Sequence, residues 1–201
     1  MSELFEKFGW EKYATERTPD VAPNGEQMAY NDAADTMMHL YGEHFEGNGP
    51  PVVLEVGCGA GHLMAALKKR GVRSVVGVEI SPYVGCPHRS ELPPPIMYDG
   101  TNIPFQDEVF DVAVSMDALE HVPLVEIPAL VGEMVRVSKL VITSMPVADG
   151  LTEEEFFAQD PCHTTYLSSE GWTDLLSSAG PTKAYPHPDL PMVCTFVTTC
   201  S

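Results

Sequence analysis

Val52-Val53-Leu54-Glu55-Val56-Gly57-Cys58-Gly59-Ala60-Gly61-His62 is the stretch on which the fold of this chain turns. A short, mostly β-branched apolar run leads without a break into three glycines at alternate positions. Such a run, closed by glycines, reads as a strand covered on both faces. The glycines mark a place where the backbone turns sharply and something comes close to it, because a Cβ would block the approach. A nicotinamide-binding fingerprint spaces its glycines GxGxxG. Here the third comes one position early and His62 stands where it would fall, so the spacing disfavours NAD.

Outward from this strand, short apolar runs alternate with stretches of helical period, the signature of a parallel sheet wrapped by helices. Strands are expected at Val52–Val56, Ser74–Ile80, Ile96–Tyr98, Phe110–Met116, Leu140–Met145, Thr182–Tyr185 and Met192–Thr198. Leu63, Ala66 and Leu67 share one helical face that ends in Lys68-Lys69-Arg70 and Gly71, a cationic last turn that complements the helix dipole. Leu130, Val131, Met134 and Val135 form a second such face. Ser168 is expected to cap a helix with Trp172, Leu175, Leu176 and Ala179 inward and Gly180 as its terminal glycine. A helix is also expected near Asn31–Phe45. The fold class is therefore α/β with about seven strands. Residues 1–50 form an N-terminal helical segment and 51–201 the domain that carries the glycine loop, one domain overall.

Composition narrows the function classes. The chain has 201 residues, 44% of them hydrophobic, enough to bury a core without disulfide or metal support. A net charge of -18 repels phosphate backbones, so nucleic acid is not an expected partner. Five cysteines, odd in number and without a CxxC pair, argue against a disulfide framework or zinc ribbon, and no metal is expected. The charged start MSELFEKFGW and the lack of a long apolar run give no membrane segment, with the cytoplasm as the expected compartment.

Taken together, ExGxGxG after the first strand resembles motif I of the class I methyltransferases that depend on S-adenosylmethionine (SAM), in the form of a methyltransferase-11-like domain. The second strand ends Val78-Glu79-Ile80-Ser81, about 20 residues after the glycines, where an acid can accept both ribose hydroxyls. Asp99-Gly100-Thr101-Asn102 resembles the segment that meets the adenine amino group. Ser115-Met116-Asp117-Ala118-Leu119-Glu120-His121-Val122 resembles the stretch after strand four where cofactor and acceptor meet. The likeness runs roughly from Val52 to Pro146. It implies a Rossmann-like doubly wound sheet, mostly parallel with an antiparallel last strand, in the order 3-2-1-4-5-7-6. It implies SAM as cofactor and Glu55, Gly57, Cys58, Gly59, Gly61, Glu79, Ile80, Asp99, Gly100, Thr101, Met116 and Asp117 as its binding residues. Cys58, without a paired base, is a small residue beside the cofactor and not a nucleophile.

The expected activity is methyl transfer to a small-molecule acceptor; the alternative is a non-catalytic SAM-binding partner or regulatory subunit of the same fold. Strand four ends Met116-Asp117-Ala118 and not in the NPPY-type sequence of amino-methylating DNA enzymes, and Pro161-Cys162 lies after strand five, the wrong place for a cytosine-attacking nucleophile. Methyl transfer requires alignment and, for some acceptors, a base. The candidate bases are His121 and His163. Phe5, Phe8, Trp10 and Tyr13 precede the sheet where related folds place a lid, although apolar packing of the first helix is the commoner explanation.

Overall fold

Apolar residues that alternate around a strand must be covered on both sides, and the helices between the strands supply the cover. The computed structural model describes residues 24–81, 92–160, 162–190 and 192–200. Its strands are β1 (Val52–Val56), β2 (Ser74–Glu79), β3 (Ile96–Met97), β4 (Val112–Met116), β5 (Leu140–Pro146), β6 (Thr182–Pro186) and β7 (Val193–Thr199), in one sheet ordered β3-β2-β1-β4-β5-β7-β6. β1 to β5 are parallel; β7 runs antiparallel to both β5 and β6. The order and direction match the doubly wound arrangement.

The helices are α1 (Asn24–His44), α2 (His62–Lys69), α3 (Ile127–Val137), α4 (Glu153–Gln159) and α5 (Ser169–Leu176). Leu54, Val56, Ala113, Val141 and Met145 share a buried cluster with Met134 of α3 and Trp172 of α5. Val53, Val75, Val114 and Ile142 take the opposite face, with Met37 and Leu40 of α1 and Leu63 and Leu67 of α2. Each fully buried aliphatic side chain contributes roughly 1.5–3 kcal/mol, so the two-faced pattern is the main energetic reason for this stacking. Arg70, just past α2, ties α1 down by donating to both carboxylate oxygens of Asp35 at 2.6 Å and to the Asn31 carbonyl at 2.7 Å. Gly71 follows at φ +80°, the left-handed position that ends a helix.

Several boundaries differ from the sequence reading. The first described helix begins at Asn24 rather than Asn31 and stops at His44. Phe110 makes only an isolated bridge to Ser138, and β4 starts at Val112. The helix capped by Ser168, whose hydroxyl accepts from the Gly171 N–H, ends at Leu176 with Ser177 as its cap. Gly180 is not its terminal glycine: a Cβ there would collide with the Thr199 carbonyl, so the residue is small because β7 passes against it. α4 was not anticipated, although Thr152 and Glu155 form a complete capping box. The aromatic residues Phe5, Phe8, Trp10 and Tyr13 lie outside the described residues. Among the described residues no helix is long and apolar enough to cross a membrane.

Candidate functional site

From β1 the chain winds out to β2 and β3, then returns to lay β4 on the other side of β1. Strand order reverses there, and in open α/β sheets the crevice at the carboxyl ends of such strands is where ligands bind. A cleft lies at this point, lined by Gly57, Gly59, Glu79, Ile80, Tyr98, Ser115, Asp117 and His121, with Val56, Ala118, Leu119, Val122 and Leu130 as its apolar walls.

The glycine loop forms one wall. Gly57 and Gly61 sit at φ +73° and +74°, and a Cβ on Gly57 would come within 2.7 Å of the Ala118 Cβ. The loop is thus pressed against the segment that follows β4, and any larger residue would force the two apart. Gly61 leads into α2, while Cys58 turns away from the cleft into the α2 side of the core. Its thiol occupies the space left by the missing side chain of Gly77.

Glu79 ends β2 and is 8% exposed. One carboxylate oxygen accepts from the Gly59 N–H at 2.8 Å; the other accepts from the Ile80 and Ser81 N–H groups at 2.8 and 3.0 Å. Burial pushes its carboxyl upward, and the three backbone donors oppose that without cancelling it. Tyr98 stands beside it, its hydroxyl raised by burial and then by the Glu79 charge. Ser115, on β4, is buried with no hydrogen-bond partner for its hydroxyl. A polar atom in that position calls for a ligand or water in the cleft.

The opposite end of the cleft is built after β4. Asp117 takes φ +49°, a left-handed conformation that is costly for a residue with a side chain, while its N–H donates to the Ser144 carbonyl. A short 3-10 turn, Leu119–His121, follows. The Glu120 carbonyl accepts from the N–H groups of Thr164 and Thr165 at 2.8 and 3.1 Å, so the loop after α4 is tied to this turn. His121 Nδ1 donates to the Cys162 carbonyl at 3.2 Å, and the rings of His121 and His163 lie 5.0 Å apart.

The structure brings Gly57, Gly59, Glu79, Ile80, Asp117 and His121 to the cleft lining, with His163 packed behind His121. Glu55 and Gly61 are buried nearby, outside the lining, and Met116 packs against the core on the α1 and α2 side. Asp99 is exposed, and its carboxylate accepts from the N–H groups of Asn102 and Thr101 within its own turn. Those bonds hold it well below the usual carboxylate range. Gly100, at φ +85°, and Thr101 shape that turn and are also outside the lining. Tyr98, Ser115 and Leu130 were missed. Tyr98 carried a signal, since it follows directly on β3 at the carboxyl edge of the sheet.

These features fit SAM as ligand: a loop narrowed to glycine after β1, a buried carboxylate at the end of β2 on one side of it and an orphan hydroxyl on β4 on the other. Residues 54–140 match the family described as methyltransferase domain. An uncharacterized methyltransferase of Mycobacterium leprae is 34% identical over 116 residues, 53% of this chain and 42% of the relative. The chain therefore spans about two fifths of that relative's length. Among solved structures, the PH0226 protein of Pyrococcus horikoshii superposes with TM-score 0.70 at 18% identity, covering 96% of this chain and all of that one. Magnesium protoporphyrin IX methyltransferase of Synechocystis, solved with bound S-adenosylhomocysteine (SAH), gives 0.61 at 18% identity over 88% of this chain and 84% of its own. The fold is the one these methyltransferase structures share, and the methyltransferase-domain match falls on the part of the chain that builds the cleft.

Proposed function

We propose that this chain transfers a methyl group from SAM to a small-molecule acceptor. The observation that carries the reading is the 2.8 Å bond between the Gly59 N–H and the Glu79 carboxylate, which joins the glycine loop to the end of β2 at one point. A fold that merely turned at its glycines would have no need for a buried carboxylate there, because desolvation works against it.

SAM supplies an electrophilic methyl on a sulfonium. The chain supplies position. Three of the roughly four lone-pair sites of the Glu79 carboxylate are taken by backbone N–H groups, which leaves about one, on the oxygen bonded to Gly59, for a ribose hydroxyl, and a charge-assisted bond of this kind is stronger than a neutral one. Gly57 and Gly59 give the ligand backbone to lie against. Leu119, Val122 and Leu130 keep water from the acceptor end, which strengthens polar contacts made there. His121 lines the cleft with its ring oriented by the bond from Nδ1 to the Cys162 carbonyl. A small acceptor suits the acidic chain better than a nucleic acid does.

The test is transfer of labelled methyl from SAM to compounds in a fractionated pool of metabolites. Labelled product that requires the protein is expected. SAH binding with no transfer to any fraction would instead describe a SAM-binding partner.

A further inference from the structure

We propose that Glu120, His121 and His163 form a binding site for a divalent transition-metal cation at the acceptor end of the cleft. It rests on the methyltransferase reading only for its role, and not for its existence. One ligand atom from each of the three residues lies within 4.8 Å of the others. All three are almost wholly inside the protein, at 1%, 5% and 9% exposure.

The tautomer of His121 carries the argument. A carbonyl can only accept, so the bond from Nδ1 to the Cys162 carbonyl fixes the ring proton on Nδ1. The other nitrogen, Nε2, is the one that a metal could bind, and it faces Glu120 Oε1 at 3.9 Å. That separation is too long for a hydrogen bond, and a cation bound at Nε2 in place of a proton would lie within reach of the carboxylate as well. An imidazole that donates its far N–H to a backbone carbonyl is also the usual arrangement behind a metal-bound histidine.

Two imidazoles and a carboxylate suit zinc, manganese, iron or cobalt ions better than magnesium or calcium, which prefer oxygen alone. At the bond lengths of such ions, about 2.1 Å, tetrahedral ligand atoms stand about 3.4 Å apart. On binding, Nε2 and Oε1 would draw together by about half an ångström and the widest pair of the cluster by up to about 1.4 Å. The two carriers are already tied together, because the Glu120 carbonyl holds the Thr164 and Thr165 N–H groups next to His163.

Three protein ligands leave the cation open to another donor, and His121 lines the cleft, so the open side meets the acceptor. This gives the proposed acceptor a class: a molecule with a hydroxyl or enol oxygen beside the atom that receives the methyl. Coordination lowers the pKa of that oxygen, its proton leaves to water, and the oxyanion stays on the cation. No ligand spacing marks this site in the sequence, because Glu120-His121 and His163 come from separate loops.

The full chain, stripped with a chelator, would be titrated with Zn2+ and with Co2+ in parallel with SAH. One equivalent of Zn2+ is expected, together with visible Co2+ absorption that Zn2+ abolishes. In Glu120→Gln and His163→Ala, metal affinity should fall by more than about 100-fold, since loss even of an outer-shell partner costs about 10–100-fold and these residues bind the ion directly. SAH binding reports whether each variant has kept its cleft. SAH binding without metal uptake by the native chain would overturn this site and leave the methyltransferase reading in place. Metal binding that survives both folded variants would also overturn it, by placing the ion on the acidic surface. Metal uptake without SAH binding would keep the site and sink the methyltransferase reading. Should either variant fail to fold, the Co2+ spectrum of the native chain decides: bands of low-symmetry nitrogen and oxygen ligation support the site, and a featureless octahedral aquo spectrum refutes it.

Discussion

A carboxylate that is buried and bonded to three backbone N–H groups carries a charge the chain must hold in place, and Glu79 does so at the point where the cleft narrows. Each charge-assisted bond to a ribose hydroxyl is worth roughly 1.5–3 kcal/mol, so Glu79→Gln should weaken SAH binding about tenfold to a hundredfold by calorimetry. Glu79→Ala should be worse. A wild-type dissociation constant in a folded Glu79→Ala protein would show that the ribose is held elsewhere. Because burial raises the Glu79 carboxyl, the group protonates at higher pH than an exposed glutamate, and SAH affinity should decline on acidification before exposed acids titrate. In the ligand-free chain the sign is opposite: the raised group favours folding below its unfolded pKa, and that contribution is lost as pH rises through the folded value. Glu79 was legible because strand spacing places it at the end of β2. Ser115 and Tyr98 were not, because which face a residue shows to the cleft depends on register between strands that the sequence does not print.

Between residues and fold lie the contacts that hold loops to helices. Arg136 on α3 donates to the carbonyls of Phe105 and Ile103 at 2.9 and 3.0 Å and pairs with Asp107 and Glu133 at 2.7 Å, while Glu133 accepts from the Ile103 N–H. This clamp fixes the loop that follows the Asp99 turn. Arg136→Met keeps length but leaves two carbonyls without donors, so urea unfolding should show a loss of about 1–3 kcal/mol. The Arg136 guanidinium, with the Ile103 N–H, holds the Glu133 carboxyl below its usual range. A depressed carboxyl stabilises above its unfolded pKa and loses that contribution as pH falls through the folded value. The wild type should therefore lose stability more steeply than Arg136→Met below about pH 4, near the unfolded value of a glutamate; parallel pH profiles would refute the clamp. At this scale the sequence was legible where period and cap agree, as in the helix begun by Ser168. It misled at Gly180, where a glycine suited to a helix end is required instead by the passage of β7. α4 escaped because seven residues led by three glutamates show little apolar period, although Phe156 at its centre is fully buried.

Across the whole molecule, topology was the most legible feature, since apolar strands alternating with helices leave few ways to cover both faces of a parallel sheet. The histidine pair was not legible as a pair: the contact of His121 with His163 depends on the Glu120 carbonyl drawing in the loop after α4. The cleft also sits where two halves of the sheet diverge, with walls from β1, β2, β4 and the turn after β4. A ligand there bridges elements that separate on unfolding, so it should stabilise the chain as a unit. Binding to the native state alone contributes about 2.7 kcal/mol when free ligand is 100 times its dissociation constant. For a chain of this size each kcal/mol moves the midpoint by roughly 2–4 °C. Saturating SAH should thus raise the melting temperature by about 5–10 °C, and the shift should keep growing with the logarithm of ligand concentration after the site is full, as mass action requires. A shift that levels off with site occupancy would mean that the ligand also binds the unfolded chain or that unfolding is not two-state. No shift at millimolar SAH would remove the cofactor from this cleft, and with it the role assigned to Glu79.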